Sequence, residues 1–204
     1  MKRKYLGIGC IILGICIGMI PFVKESFEDY RQQKILTLWR QEMSRVSGGE
    51  ETADTENAIE RERDVGENLE NEEVAGILRI PTIELEQPVL KGATERNLNL
   101  SVATVEPTGT PGEKGNFAIA GHNSRTYGRH FNRLEELQKG DELFVDTGTE
   151  SYTYKVTDSY VVEAEDVWVL GDTIDGAEIT LITCHYSKEG KVQRLIVKGI
   201  LQKK

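Results

Sequence analysis

Between residues 47 and 73 the chain carries eleven acids against only Arg61 and Arg63. So much like charge, with so few apolar side chains, cannot bury enough surface to offset the entropy of ordering. A disordered, solvated linker is therefore expected over 47–73, and anything that folds must do so on either side of it. This tract alone holds the whole net charge of −9 of the 204-residue chain, and the rest sums to zero. A net negative chain is a poor general nucleic-acid binder. Because the charge sits in the linker, it says nothing more about the folded part's partner.

On the N-terminal side, Lys2, Arg3 and Lys4 precede residues 5–23, which hold no charge. Nineteen helical residues rise about 29 Å, close to the hydrocarbon thickness of a bilayer. A cleaved signal peptide would show small residues at its cleavage site. The first alanine is Ala53, so a retained single-pass anchor over 5–23 is expected. The basic cluster puts residues 1–4 in the cytoplasm and the C-terminal domain outside the cell. Beyond the anchor, Phe27, Tyr30, Ile35, Leu38, Trp39, Met43 and Val46 recur near helical spacing. They suggest an amphipathic stalk helix over 24–46, lying on the membrane or pairing with a copy of itself.

From residue 74 the pattern changes to short β-rich runs between turn residues. Strands are expected over 75–80, 83–90, 116–120, 142–145, 152–156, 160–163, 178–184 and 194–201. One short helix is expected over 129–138, where Phe131, Leu134 and Leu137 share a face and Gly140 ends it. Such spacing implies a mostly β domain over 74–204, a closed barrel or a sandwich. No C-x-x-C and no cysteine/histidine cluster is present, which excludes a structural zinc site of the common kinds.

Outside the anchor the only cysteine is Cys184. An unpaired thiol in an exported domain is open to oxidation. Its plain explanation is a buried inert residue, but Cys184 ends a predicted strand, where scaffolds display reactive groups. A thiol nucleophile needs a proton-transfer partner. His185 is its sequence neighbour and points to the opposite strand face. His130 falls at the start of the expected helix and is read as solvated. His122 follows the strand 116–120 and Gly121, at another strand end. Acyl transfer also needs a donor where negative charge develops on oxygen. If 178–184 and 194–201 pair as a hairpin, Arg194 lies opposite the thiol and favours its thiolate form. Taken singly, Arg194 also reads as a solvated edge residue, and His122 as a surface loop histidine.

Together these residues carry a resemblance. Thr180-Leu181-Ile182-Thr183-Cys184 resembles the T-L-x-T-C motif of sortases, the membrane-anchored cysteine transpeptidases of Gram-positive bacteria. Gly115-Asn116-Phe117-Ala118-Ile119-Ala120-Gly121-His122 resembles the segment bearing their catalytic histidine, and Arg194-Leu195-Ile196-Val197 the one bearing their arginine. The resemblance implies an eight-stranded sortase barrel with Cys184 as nucleophile, His122 as general acid and base, and Arg194 as stabiliser of the oxyanion or bound substrate. It places Thr183 and Ala120 as candidate substrate contacts. The implied substrates are exported proteins with an L-P-x-T-G-like sorting signal, and the acceptor is an amine of a peptidoglycan precursor.

No cofactor is implied. Calcium bound by Glu163, Glu165 and Asp166 is the candidate exception. No proline follows an aspartate, the chain closes on a short strand at Lys204, and residues 164–177 are too few for a long insertion. These features disfavour the pilus-polymerising and long-insertion subclasses and leave a class A or class D type, with D preferred. Two other readings stay open on residues alone: a membrane-tethered binding module without turnover, and a thiol hydrolase that releases proteins.

Overall fold

The computed structural model describes residues 2–47, 73–173 and 176–202. Eight strands form a closed barrel: β1 (Val74–Ile80), β2 (Leu85–Leu90), β3 (Val102–Thr104), β4 (Gly115–Ala120), β5 (Glu142–Asp146), β6 (Ser151–Glu163), β7 (Ala177–Tyr186) and β8 (Val192–Leu201). Their order around the barrel is β1-β2-β3-β4-β7-β8-β6-β5. The β4–β7 and β2–β3 pairs are parallel and the other neighbours antiparallel. Inward positions are apolar, with Leu78, Ile80, Val102, Ile119, Leu143, Val145, Ile179 and Leu181 at 2% exposure or less. Burying each such side chain stabilises the fold by about 1.5–3 kcal/mol before entropy is subtracted.

Several local expectations change. The runs 152–156 and 160–163 are one strand, β6, whose register shifts between Val156 and Asp158. That irregularity breaks the alternation that would have joined them in the sequence pattern. The run 83–90 begins later, because Pro81–Ile83 form a 3-10 turn closed by a left-handed Glu84. The three-residue β3 had too little sequence to show a period.

The helix expected over 129–138 is only a 3-10 turn, Leu134–Glu136. His130 adopts a left-handed φ of 50°, and the Phe131 N–H donates to the His122 carbonyl at 3.0 Å. Both stop a helix from nucleating there. Phe131, Leu134 and Leu137 are still buried, since a spacing of three serves a 3-10 turn equally well. The real barrel helix, α2 (Glu95–Leu100), lies elsewhere, with the Thr94 hydroxyl capping the Asn97 N–H at 3.2 Å.

The long helix α1 (Lys2–Ser47) contains the expected anchor and stalk. Part of the stalk docks on the barrel. Ile35 and Leu36 are buried, and Ile35 packs with Leu90, Leu100 and Ala103. Gln32 Nε2 donates to Ser101 Oγ at 3.3 Å. Of the apolar stripe, Ile35 is covered by the face of β2, β3 and α2, while Phe27, Tyr30 and Leu38 stay exposed. Among the described residues no helix is long and apolar enough to cross a membrane. The side chains of 5–13, 21 and 22 in the expected anchor lie outside those described, as do residues 48–72 of the linker expected over 47–73. Ile15, Ile17, Met19, Ile20 and Val23 stand exposed on α1.

Candidate active site

Alternation along β7 turns Ile179, Leu181 and Thr183 into the barrel and leaves Cys184 half-buried on the outer side. Thr183 is 2% exposed, and its hydroxyl has no hydrogen-bond partner among the described residues. Arg194 on β8 is the register partner of Cys184. Its Nη1 lies 3.5 Å from the Cys184 Sγ and donates to the Gln193 carbonyl at 3.2 Å. The hairpin expected from spacing therefore exists and puts the guanidinium on the sulfur.

β4 runs parallel to β7, with Ala120 opposite Ile182. The Gly121 N–H continues the ladder to the Ile182 carbonyl at 3.0 Å. A Cβ on Gly121 would sit 2.7 Å from Phe131 and 2.8 Å from Val102, so only glycine lets the chain leave the strand this closely. His122 follows and shares a cleft of about 230 Å³ with Cys184. The cleft is completed by Tyr186 on β7, Asn99, Asn123, Ser124, Arg129, His130 and Glu28 of α1. Ala120 is half-buried at the end of β4.

Three groups around this cleft were not singled out as functional from sequence. Asn123 Nδ2 donates to the Cys184 carbonyl at 2.8 Å, tying the histidine segment to the cysteine strand. Arg129 is paired with Glu28 at 2.7 Å and Asp29 at 3.2 Å; nothing in the sequence announced a pairing across that separation. His130, expected to be solvated, is 4% exposed. Its Nδ1 lies 3.3 Å from Gln87 Oε1 and its ring meets His122 edge-on at 6.4 Å. Burial first, then Arg129 and His122, lower its pKa to about 4, so it stays neutral where an ordinary histidine titrates. His185 pairs with Gln193, off the thiol's position.

Two of the three acids considered for calcium, Glu163 and Asp166, are engaged otherwise. Glu163 accepts from Lys191 at 2.7 Å and from Gln193 at 3.1 Å. An Asp166 carboxylate oxygen accepts the Glu163 N–H at 2.9 Å. No group of three potential metal ligands comes together among the described residues.

A thiol, a guanidinium on it and an imidazole in the same cleft, all at strand ends of a closed barrel, suit acyl transfer through sulfur. Comparison with known proteins gives the same class. The Sortase domain family model matches residues 78–202. Sortase A of Bacillus anthracis is 32% identical over 98% of this chain and 96% of its own length. Among solved structures, Listeria monocytogenes sortase A aligns at TM-score 0.58 and 31% identity, covering 64% of this chain and 88% of that one. A Clostridium perfringens Sortase D5 transpeptidase aligns at TM-score 0.57 and 31% identity, covering 70% and 89%.

The chain belongs to the sortase family. It is an enzyme, a cysteine transpeptidase, and the binding-module reading falls away.

Proposed function

We propose that this sortase is held at the outer face of the cell membrane by residues 5–23 and acts on exported proteins bearing an L-P-x-T-G-like sorting signal. Cys184 attacks the threonine carbonyl of the signal. The carbonyl oxygen takes up negative charge, and the Arg194 guanidinium stabilises it. His122 protonates the departing amine as the peptide C–N bond breaks, leaving a thioester on Cys184. An amine of a peptidoglycan precursor then attacks the thioester carbonyl, gives its proton to His122 and releases the sulfur. The uncharged run above a basic cluster supports the anchor and its orientation. The similar chains include both a Sortase A and a Sortase D5, and both fit this scheme.

The observation that carries the reading is the register pair Cys184–Arg194, with Nη1 3.5 Å from Sγ, and Cys184 lining the same cleft as His122. The test uses the full chain in detergent with a panel of sorting-signal peptides, with and without amine acceptors, and identifies products by mass. Cleavage after threonine with amine-dependent ligation is expected. Release of the free acid alone, whatever the acceptor, would turn the reading into a hydrolase, and no cleavage of any signal would remove the substrate assignment.

A further inference from the structure

Of the groups lining the cleft, Glu28 is the one supplied by α1. It stands five residues beyond Val23, the last residue of the uncharged run 5–23. Both lie on the same helix, which rises 1.5 Å per residue, so Glu28 is only about 8 Å along the axis past the end of that run. Pro21 is the only proline in α1. Its ring displaces the carbonyl four residues back, so a bend there falls before residue 23 and leaves 24–47 as one rod.

That rod is fixed to the barrel at successive points. At the cleft, Glu28 and Asp29 both pair with Arg129, at 2.7 and 3.2 Å. One turn on, Gln32 donates to Ser101 Oγ at 3.3 Å. Ile35 then packs with Leu90, Leu100 and Ala103, and Arg40 meets Glu86 of β2 at 2.5 Å. A Cβ placed on Gly148 would strike the Met43 sulfur and crowd the Trp39 ring, so both side chains lie over the turn between β5 and β6. Polar contacts at one end and packing at the other hold the helix against both sliding and rotation. Met43 is twenty residues beyond Val23, about 30 Å of rise. The cleft and the β5–β6 turn are therefore the two ends of the docked stretch, and the cleft is the end next to the uncharged run.

We propose that α1 is a strut that sets the height of the active site above the lipid: it holds the cleft of Cys184 and His122 at the headgroup layer, with the β5–β6 turn about 20 Å further out. The proposal rests on the reading above in which residues 5–23 span the membrane. The surface that presents the cleft fits a lipid bilayer, and the substrates it favours have reacting atoms held close to the headgroups by a tail of their own in the bilayer. An ionic clasp suits this height. Apolar side chains there would gain as much from the hydrocarbon as from the barrel, whereas paired charges are kept out of it.

The test uses the full chain in vesicles of phosphatidylcholine and phosphatidylglycerol. With Cys10→Ser and Cys16→Ser, Cys184 is the only thiol and takes a nitroxide label. A second protein carries the label at Thr149→Cys, on the exposed β5–β6 turn, with Cys184→Ala. Relaxation of each label by nickel chelated to lipid headgroups reads its height. The label on Cys184 should be relaxed severalfold more strongly than the one at 149. Seven helix-forming residues inserted between Val23 and Lys24 add about 10 Å and nearly two whole turns, which raises the barrel without turning it. The insertion should weaken relaxation at Cys184. With Cys184 unlabelled, it should slow turnover of a sorting-signal peptide joined to lipid by a short spacer at least tenfold, and leave the soluble peptide unchanged. Equal relaxation at the two positions, or stronger relaxation at 149, overturns the proposal. So does a tethered rate that falls no further than the soluble one. Flotation reports the anchor separately: a chain that does not float with the vesicles ends both readings, and one that floats with Cys184 no nearer the lipid than residue 149 ends the strut alone. If neither peptide is cleaved the substrate reading fails, and the relaxation result still decides where the cleft stands.

Discussion

Two segments flank Cys184, and they are held in different ways. The 121–131 segment on the His122 side is stitched mainly by backbone. Gly121 extends the β ladder, Asn123 and His130 form an isolated bridge, and the Phe131 N–H returns to the His122 carbonyl. The 164–173 segment on the other side is held by side chains, the buried amide of Asn116 and a few apolar plugs. Backbone stitching leaves little freedom, which suits a segment that holds the proposed reacting imidazole beside a sulfur. Side-chain anchoring can be retuned by one substitution. The contrast teaches on which side of the thiol damage should stop chemistry.

The largest effects should come from the reacting groups themselves. Cys184→Ala should abolish both cleavage and transfer of a sorting-signal peptide; retained turnover would end the nucleophile assignment. His122→Ala keeps the thiol but removes the proton donor to the leaving amine, a loss of roughly a hundredfold or more. Arg194→Lys keeps the positive charge and loses the planar fork of donors, so activity should still fall strongly. His185→Ala should be mild, since His185 pairs away from the thiol. Each variant is assayed by steady-state turnover, with folding checked by circular dichroism.

Next come substitutions in the stitching. Gly121→Ala drives a Cβ into Phe131 and Val102, both fully buried and unable to swing aside. Overpacking of this kind costs about 1–3 kcal/mol. A shift of His122 of about 1 Å would lower kcat on the order of a hundredfold. Asn123→Ala loses one hydrogen bond to the Cys184 carbonyl, about 1 kcal/mol, and should slow turnover severalfold without moving the thermal midpoint much. If Gly121→Ala changed only KM, the assignment of chemistry to this flank would be wrong.

The barrel was legible because its strands carry long apolar runs. Those around 178–184 and 194–201 lie close to the observed β7 and β8, and their hairpin followed from spacing. The elements missed have physical reasons. β3 is three residues long, and β6 hides a bulge that splits its pattern. α2 shows itself only through its Thr94 cap. The segment 129–138 has a helix-like apolar spacing that a left-handed His130 overrides.

Cys184, His122 and Arg194 were picked out because motif and strand-end position agreed, and the structure brings Cys184 to Arg194 and into one cleft with His122. The burial of His130, the docking of α1 and the Glu28–Arg129 pair depend on contacts between residues far apart in sequence. Local pattern carries no trace of them. The stalk shows this most clearly: its apolar stripe was readable, but the burial of Ile35 against Leu90, Leu100 and Ala103 was not.

The smallest effect on turnover at neutral pH belongs to His130, and it is best read through stability. His130 is buried in the backbone-stitched flank with a folded pKa of about 4, against an ordinary 6.5. Above pH 6.5 neither folded nor unfolded chain protonates it, and it adds no pH dependence. Below 6.5 the unfolded chain takes up a proton that the folded chain refuses until about pH 4. Stability should therefore fall as pH falls through this window, by on the order of 3 kcal/mol in all. Carboxylates add their own slope, so the difference from a variant isolates the histidine. His130→Asn is the suitable change, because asparagine tolerates the left-handed backbone and does not titrate. Urea midpoints of both proteins, measured from pH 7.5 to 4, should converge as pH falls, the variant starting lower and losing less. Parallel curves would mean that His130 can be protonated in the folded chain. The 121–131 flank would then be open to solvent, and the difference between the two sides of Cys184 would shrink to one of sequence.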